Sequence, residues 1–181
     1  MAQWIIDPAH SEVKFKVKHL VISSVTGQFN TVSGTVQASK PDFSDSRIQF
    51  EAEVDSISTN SEQRDAHLKS PDFFDAANYP KLSFVSTSMT PKGDGTYELM
   101  GDMTIRGTKR RIALDVSYNG TVKGFDGDVA AFAINGKLDR QEFGLRWNAM
   151  TEAGGVVVSD EVKLDIVVEL KMADVAEPVT A

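Results

Sequence analysis

The sequence contains no cysteine, so disulfides, thiolate metal centres and thiol nucleophiles lie outside its chemistry. Histidine is nearly as scarce. His10, His19 and His67 are the only three in 181 residues, and their spacing matches no zinc pattern. No stretch approaches the roughly 20 consecutive apolar residues that a membrane-spanning helix needs. A positive excess is also missing: the net charge is −7, whereas binding a phosphate backbone requires a cationic footprint, so no nucleic acid is expected. The one compact basic cluster, Lys109-Arg110-Arg111, follows Gly107 at an expected hairpin and reads as a solvated turn. Neither a Gly-x-Ser-x-Gly elbow nor a glycine-rich phosphate loop occurs. The residues give no catalytic signature, and no metal or cofactor is expected.

What the chain does have is alternation. Glu12-Val13-Lys14-Phe15-Lys16-Val17-Lys18-His19 changes face at every residue, the period of a strand with one dry and one wet side. Similar runs are read at 12–22, 28–36, 46–54, 82–89, 97–105, 111–118, 128–138 and 161–171. Their apolar parities form walls, such as Ile48, Phe50, Ala52 and Val54, or Val162, Leu164, Ile166, Val168 and Leu170. Only the run at 82–89 has no clean apolar parity. The separators Lys92-Gly93-Asp94-Gly95, Arg106-Gly107-Thr108 and Asp126-Gly127 suit tight hairpins, which make adjacent strands antiparallel. About eight such strands can form a sandwich or close on themselves, and closure removes exposed edges. The expectation is an all-β fold: an extended antiparallel barrel of about eight strands, occupying residues 1–172 as one domain, with a flexible tail at 173–181.

One segment breaks the rhythm. Thr59 and Glu62 stand at capping-box spacing, which predicts a short helix near 59–69, ended by Ser70-Pro71. Arg64 and His67, three apart, share a face of that helix, and Phe73-Phe74 follow between Asp72 and Asp75. A cationic face beside an aromatic pair suits a ligand's polar head, and it suits equally a lid helix pinned by ordinary ion pairs.

Several blocks resemble the YceI-like family. Trp4-Ile5-Ile6-Asp7-Pro8-Ala9-His10-Ser11 with Val13, Phe15, Val17 and His19 is similar to its opening. Arg64-Asp65-Ala66-His67-Leu68-Lys69-Ser70-Pro71-Asp72-Phe73-Phe74-Asp75 with Tyr79-Pro80 resembles its central block. Thr104-Ile105-Arg106-Gly107-Thr108, Arg140-Gln141-Glu142-Phe143-Gly144 and Val158-Ser159-Asp160-Glu161-Val162 resemble its later ones, with Glu142 where aspartate is more usual. The resemblance implies a lipocalin-like barrel that binds a polyisoprenoid chain, such as a prenyl lipid or a quinone tail, without established catalysis. It also implies homodimers as partners.

On that reading the expected apolar lining is Phe15, Val17, His19, Ile48, Phe50, Phe73, Phe74, Leu99, Ile105, Leu114, Phe132 and Ile134. Arg64, His67 and Arg140 are the candidates for a ligand head group. Ala52, Gly101 and Gly136 on the same walls either leave room for a ligand or seat a neighbour's bulk. A transient membrane contact is expected of a lipid carrier. The start at Met1, with no leader pattern, points to the cytoplasm, or to the periplasm if a removed leader preceded it. Two rival readings stand beside the carrier. One is an enzyme on the same barrel with His19, His67 or Glu142 as acid or base; the other is a solidly packed, stress-linked interaction protein.

Overall fold

A computed structural model describes residues 2–149 and 157–173. Eleven strands form one antiparallel sheet that closes into a barrel of eight staves. Five staves are single strands: β7 (Lys81–Gly93), β8 (Thr96–Ile105), β9 (Thr108–Gly124), β10 (Gly127–Asp139) and β11 (Val158–Met172). Each of the other three is shared by two shorter strands. Along β11, β1 (Ala2–Ile6) covers the Leu170–Met172 end and β2 (Glu12–His19) covers the stretch from Val158 to Val167. Next to them lie β4 (Val32–Ala38) beside β1 and β3 (Ser23–Phe29) beside β2. The third split stave is β5 (Arg47–Glu53) with the two-residue β6 (Ile57–Ser58). Where β6 stops, the helix α1 (Glu62–Lys69) and the linker to β7 take over the wall.

The hairpins form where glycine was expected to allow them. Asp94 and Gly95 have φ of 53° and 73°, and Arg106 and Gly107 have 49° and 73°. Two successive positive-φ residues match the right-handed twist of the strands they join. The untidy parity of 82–89 has a local cause. The β7–β8 register shifts between Ser86 and Ser88, so Leu82 and Phe84 face inward before the bulge and Met89 after it.

Three expectations need correction. The run 12–22 is not one strand: it turns at Leu20–Ile22, with Leu20 and Val21 in the left-handed region at φ 55° and 66°. The run 28–36 breaks at Asn30-Thr31, because β3 and β4 serve different halves of the barrel. Thr59 does not cap the helix. Ser61 does, its Oγ accepting from the Arg64 amide at 3.3 Å. Strand β1, which no run predicted, closes the barrel by pairing with both β4 and β11. Ala173 still donates its amide to the Gln3 carbonyl at 2.8 Å; the rest of the expected tail, 174–181, lies outside the described residues.

Candidate ligand site

The walls enclose a cavity of about 400 Å³. Inward parities of the staves supply an apolar surface, and the buried side chains form a cluster around it. Residues from Val158 to Leu170 of β11 line it, which at ~3.3 Å per residue and a strand tilt near 40° makes a bore roughly 25–30 Å long. Spread over that length, the volume describes a narrow channel. All twelve expected apolar residues and all three expected head-group residues lie on its wall.

One end is sealed. The loop 39–46 between β4 and β5 turns back on itself: Asp45 accepts from the amides of Ser39 and Lys40 at 2.9 and 3.1 Å, and Asp42 accepts from the Ser44 amide and hydroxyl at 3.0 and 2.8 Å. The Ser46 hydroxyl donates to the Phe43 carbonyl at 2.6 Å, and the Tyr97 hydroxyl donates to the Asp42 carbonyl. Burial holds the Tyr97 phenol above its ordinary pKa. At the loop's apex Phe43 adopts φ 62° and points its ring inward, against Trp4, Tyr118 and Phe132 at centroid distances of 5.2, 5.4 and 5.0 Å. Sequence reasoning passed over this floor because a lone Phe in a Pro-Asp-Ser loop carries no periodicity. The available signal was the turn chemistry of Pro41-Asp42 and Ser44-Asp45 around a single aromatic.

The other end is the rim. Its elements are α1, the linker with Phe73 and Phe74, the turn after β2, and the segment that begins with the 3₁₀ turn Arg140–Phe143. His67 places its ring edge-on to Phe73 and Trp147 at 5.1 and 4.7 Å, and its Nε2 lies 2.9 Å from Asp72 Oδ2. Arg64 folds back on Thr59, donating from Nε to the hydroxyl at 2.7 Å and from the guanidinium to the carbonyl at 2.5 Å. Thr59 in turn donates its amide and hydroxyl to Asp65 at 2.8 and 2.6 Å.

Arg140 is the most buried of these cations, at 4% exposure. It donates to the carbonyls of Leu145, Trp147, Ser159 and Val158 at 2.6, 2.8, 2.9 and 3.3 Å. Burial lowers its pKa, opposed by the charges of Asp160 and Asp139. Guanidinium stays protonated at such sites, and its planar fork reaches several carbonyls at once. Arg140 therefore stitches the segment after β10 to the start of β11. Trp147, Phe143 and Leu145 join the wall through that segment, and sequence reasoning missed them because they sit in irregular chain.

Few polar groups meet the bore. Arg64 and Arg140 line it together with His19, His67, Ser46 and Thr59, and among the described residues lining it there is no carboxylate. Lys14 and Lys18 alternate with the inward Val13, Phe15, Val17 and His19, so their side chains stand on the outer face, Lys14 against Glu12 at 3.1 Å. Glu142, a candidate acid in the enzymatic reading, is exposed and lies off the wall. Outside the barrel, at the break between β1 and β2, the fold gathers Asp7, His10 and Glu169 with ligand atoms within 4.8 Å of one another. Chain spacing had given no sign of this group. Asp7 already accepts from Ala9, lies 2.7 Å from His10 Nδ1 and pairs with Lys171 at 3.3 Å, so the protein's own cations balance it.

Taken together these features define a class: a closed antiparallel barrel of the lipocalin-like kind, with a blind apolar bore and Arg64 and Arg140 at its rim. Residues 4–170 match the model of the YceI-like domain, and the chain belongs to that family. It is similar to a UPF0312 protein of Staphylococcus aureus (strain USA300), 33% identical over 176 residues that span 96% of this chain and 100% of that one. Among solved structures, the Campylobacter jejuni YCEI protein aligns at TM-score 0.74 and 29% identity, covering 87% of this chain and 90% of the other. Burkholderia cenocepacia BcnA aligns at 0.79 and 22% identity, over 91% and 98% of the two chains. A polyisoprenoid binding domain from Saccharophagus degradans shares the fold at 0.66 and 16% identity, over 94% and 98%.

Proposed function

We propose that this protein carries or stores one long isoprenoid lipid, a polyprenyl chain or a quinone tail, with the tail in the bore and the polar head at the rim. The observation that carries the reading is the blind apolar channel, with no carboxylate among the described residues that line it. Membership of the YceI-like family supports it, as does a fold neighbour described as a polyisoprenoid binding domain. A solidly packed barrel is a poor fit to a cavity of about 400 Å³.

Energetics favour exchange over permanent capture. Burying one CH₂ from water is worth about 0.8 kcal/mol, but a prenyl lipid leaves a membrane that is already apolar, so transfer into the bore gains little. Fit and head-group contacts then decide occupancy. Such a carrier has to touch a membrane, and the turn after β2 is an apolar projection at the rim: Val21 and Ile22 are 69% and 88% exposed, while the neighbouring His19 lines the bore. Purified protein extracted with organic solvent and weighed by mass spectrometry tests the function. A stoichiometric prenyl lipid is expected; repeated empty extracts from lipid-replete cells would overturn it.

A further inference from the structure

The geometry points to Phe43 as a stop that sets the longest isoprenoid chain this barrel accepts, an inference that rests on the carrier function proposed above. The ring stands at the sealed end of the bore, lines the cavity and is 3% exposed. Its backbone is the unusual part. A bulky residue at φ 62° is strained, and a chain adopts that conformation only where its surroundings over-determine it.

Here the surroundings are the loop's own bonds. The Phe43 amide donates to the Lys40 carbonyl at 3.0 Å, the Ser46 amide and hydroxyl both donate to the Phe43 carbonyl, and Asp42 and Asp45 each tie down two donors of the same eight residues. Tyr97 anchors the loop to β8 through the Asp42 carbonyl. The ring these bonds aim is held by three other aromatics, so it cannot swing aside cheaply for an advancing chain end. A floor built only to exclude water would need no such fixed plug, because apolar side chains from the converging staves would suffice.

A rigid floor reads length. A chain that reaches Phe43 before its head meets the rim must leave its last unit in water or buckle. Shorter chains fit but leave the floor uncovered.

The test uses a series of all-trans prenyl alcohols of stepwise length, competed against one another for the delipidated protein and read by extraction and mass spectrometry. The native protein is expected to show a length cut-off beyond which retention falls about tenfold or more per added unit, as leaving a whole isoprene unit in water implies. Phe43→Ala removes the ring and is expected to move the cut-off longer by about one unit. Phe43→Leu keeps the floor filled, guards against loss of folding in the alanine variant, and is expected to move it by less. Phe15→Ala, midway along the bore, is expected to weaken all lengths without moving the cut-off. Identical length profiles in the native protein and both Phe43 variants would overturn the stop while leaving the carrier function standing. Failure of the native protein to retain any length would overturn both.

Discussion

Phe84 seats its ring over the backbone of Gly101 on the neighbouring strand, where any Cβ would collide with it and would also come within 2.6 Å of the Val85 carbonyl. The same device recurs around the wall: Leu114 occupies the space beside Gly136, Phe15 that beside Gly27 and Ile6 that beside Gly34. The small residues therefore do not form the cavity. They let large neighbours lie into the wall, so the centre of the barrel stays clear.

The four positions differ in what blocks them, which gives a graded prediction. At Gly101 backbone is in the way, whereas at Gly136 the close atoms belong to the movable Leu114 side chain. Gly101→Ala is expected to cost about 2–3 kcal/mol of unfolding free energy and Gly136→Ala about 1 kcal/mol or less. Urea melts of the two variants check the order; equal costs would mean the wall yields everywhere.

The strands and the wall residues were legible because alternation is a direct record of which side faces inward. Ten expected residues, drawn from five strands, share one cavity for that reason, and the other five reach it from α1, the linker after it and the 3₁₀ turn at Arg140. What the alternation could not report was where a stave is cut. Leu20–Ile22 and Asn30-Thr31 continue an apolar or alternating pattern yet turn or break, since the cut depends on which half of β11 each piece must meet. The floor and the Arg140 segment were illegible for a different reason. Their contacts join residues far apart in sequence through loops that carry no period, as Phe43 does with Tyr118 and Phe132.

Arg140 yields a prediction that separates holding the rim from holding a ligand. Arg140→Ala leaves the carbonyls of Leu145, Trp147 and Ser159 without this donor and is expected to cost about 3–5 kcal/mol. Arg140→Lys, with one ammonium in place of a fork, is expected to weaken neutral prenyl alcohols and charged prenyl diphosphates to the same degree. A loss confined to the diphosphate would assign Arg140 to the head group instead.

Arg64 and His67 are expected to behave the other way. Both are at least partly exposed at the rim, so the double variant Arg64→Ala/His67→Ala is expected to lower retention of a prenyl diphosphate several-fold more than that of the matching alcohol. Competition assays on the paired ligands decide it, and equal losses would reject the role.

The Asp7–His10 pair gives a pH window. The His10 hydrogen bond holds Asp7 below the ordinary carboxylate pKa, and the same bond, with the Asp7 charge, raises His10 above the ordinary imidazole value. The contribution of Asp7 is present above the unfolded carboxylate pKa of about 3.9 and lost as pH falls through its lower folded value. That of His10 is full below the unfolded imidazole pKa of about 6.5 and lost as pH rises through its raised folded value. The melting-temperature gap between native protein and His10→Ala is therefore expected to be widest near pH 5–6 and narrower at pH 8. A gap that does not change with pH would show that the pair acts by packing alone.

The apolar turn after β2 is expected to govern rate without changing capacity. Val21→Ser with Ile22→Ser should slow transfer of a bound prenyl lipid to anionic vesicles several-fold while leaving the amount retained in solution unchanged. Phe125→Ser is the control: that ring is more exposed still, but it sits on the β9–β10 hairpin beside Asp126 and Asp128. A slowing of equal size in the control would place the contact elsewhere.

A tube sealed by Phe43 has one doorway, and that fixes the order of events at it. The end of a guest that enters first must leave last, so a molecule taken in tail-first presents its head to whatever receives it. Donor and recipient cannot hold the guest from opposite ends, and each must come to the rim in turn. For the carrier proposed above, delivery would be a queue at a single threshold, timed by how long the rim stays engaged with one surface before it is free to meet the next.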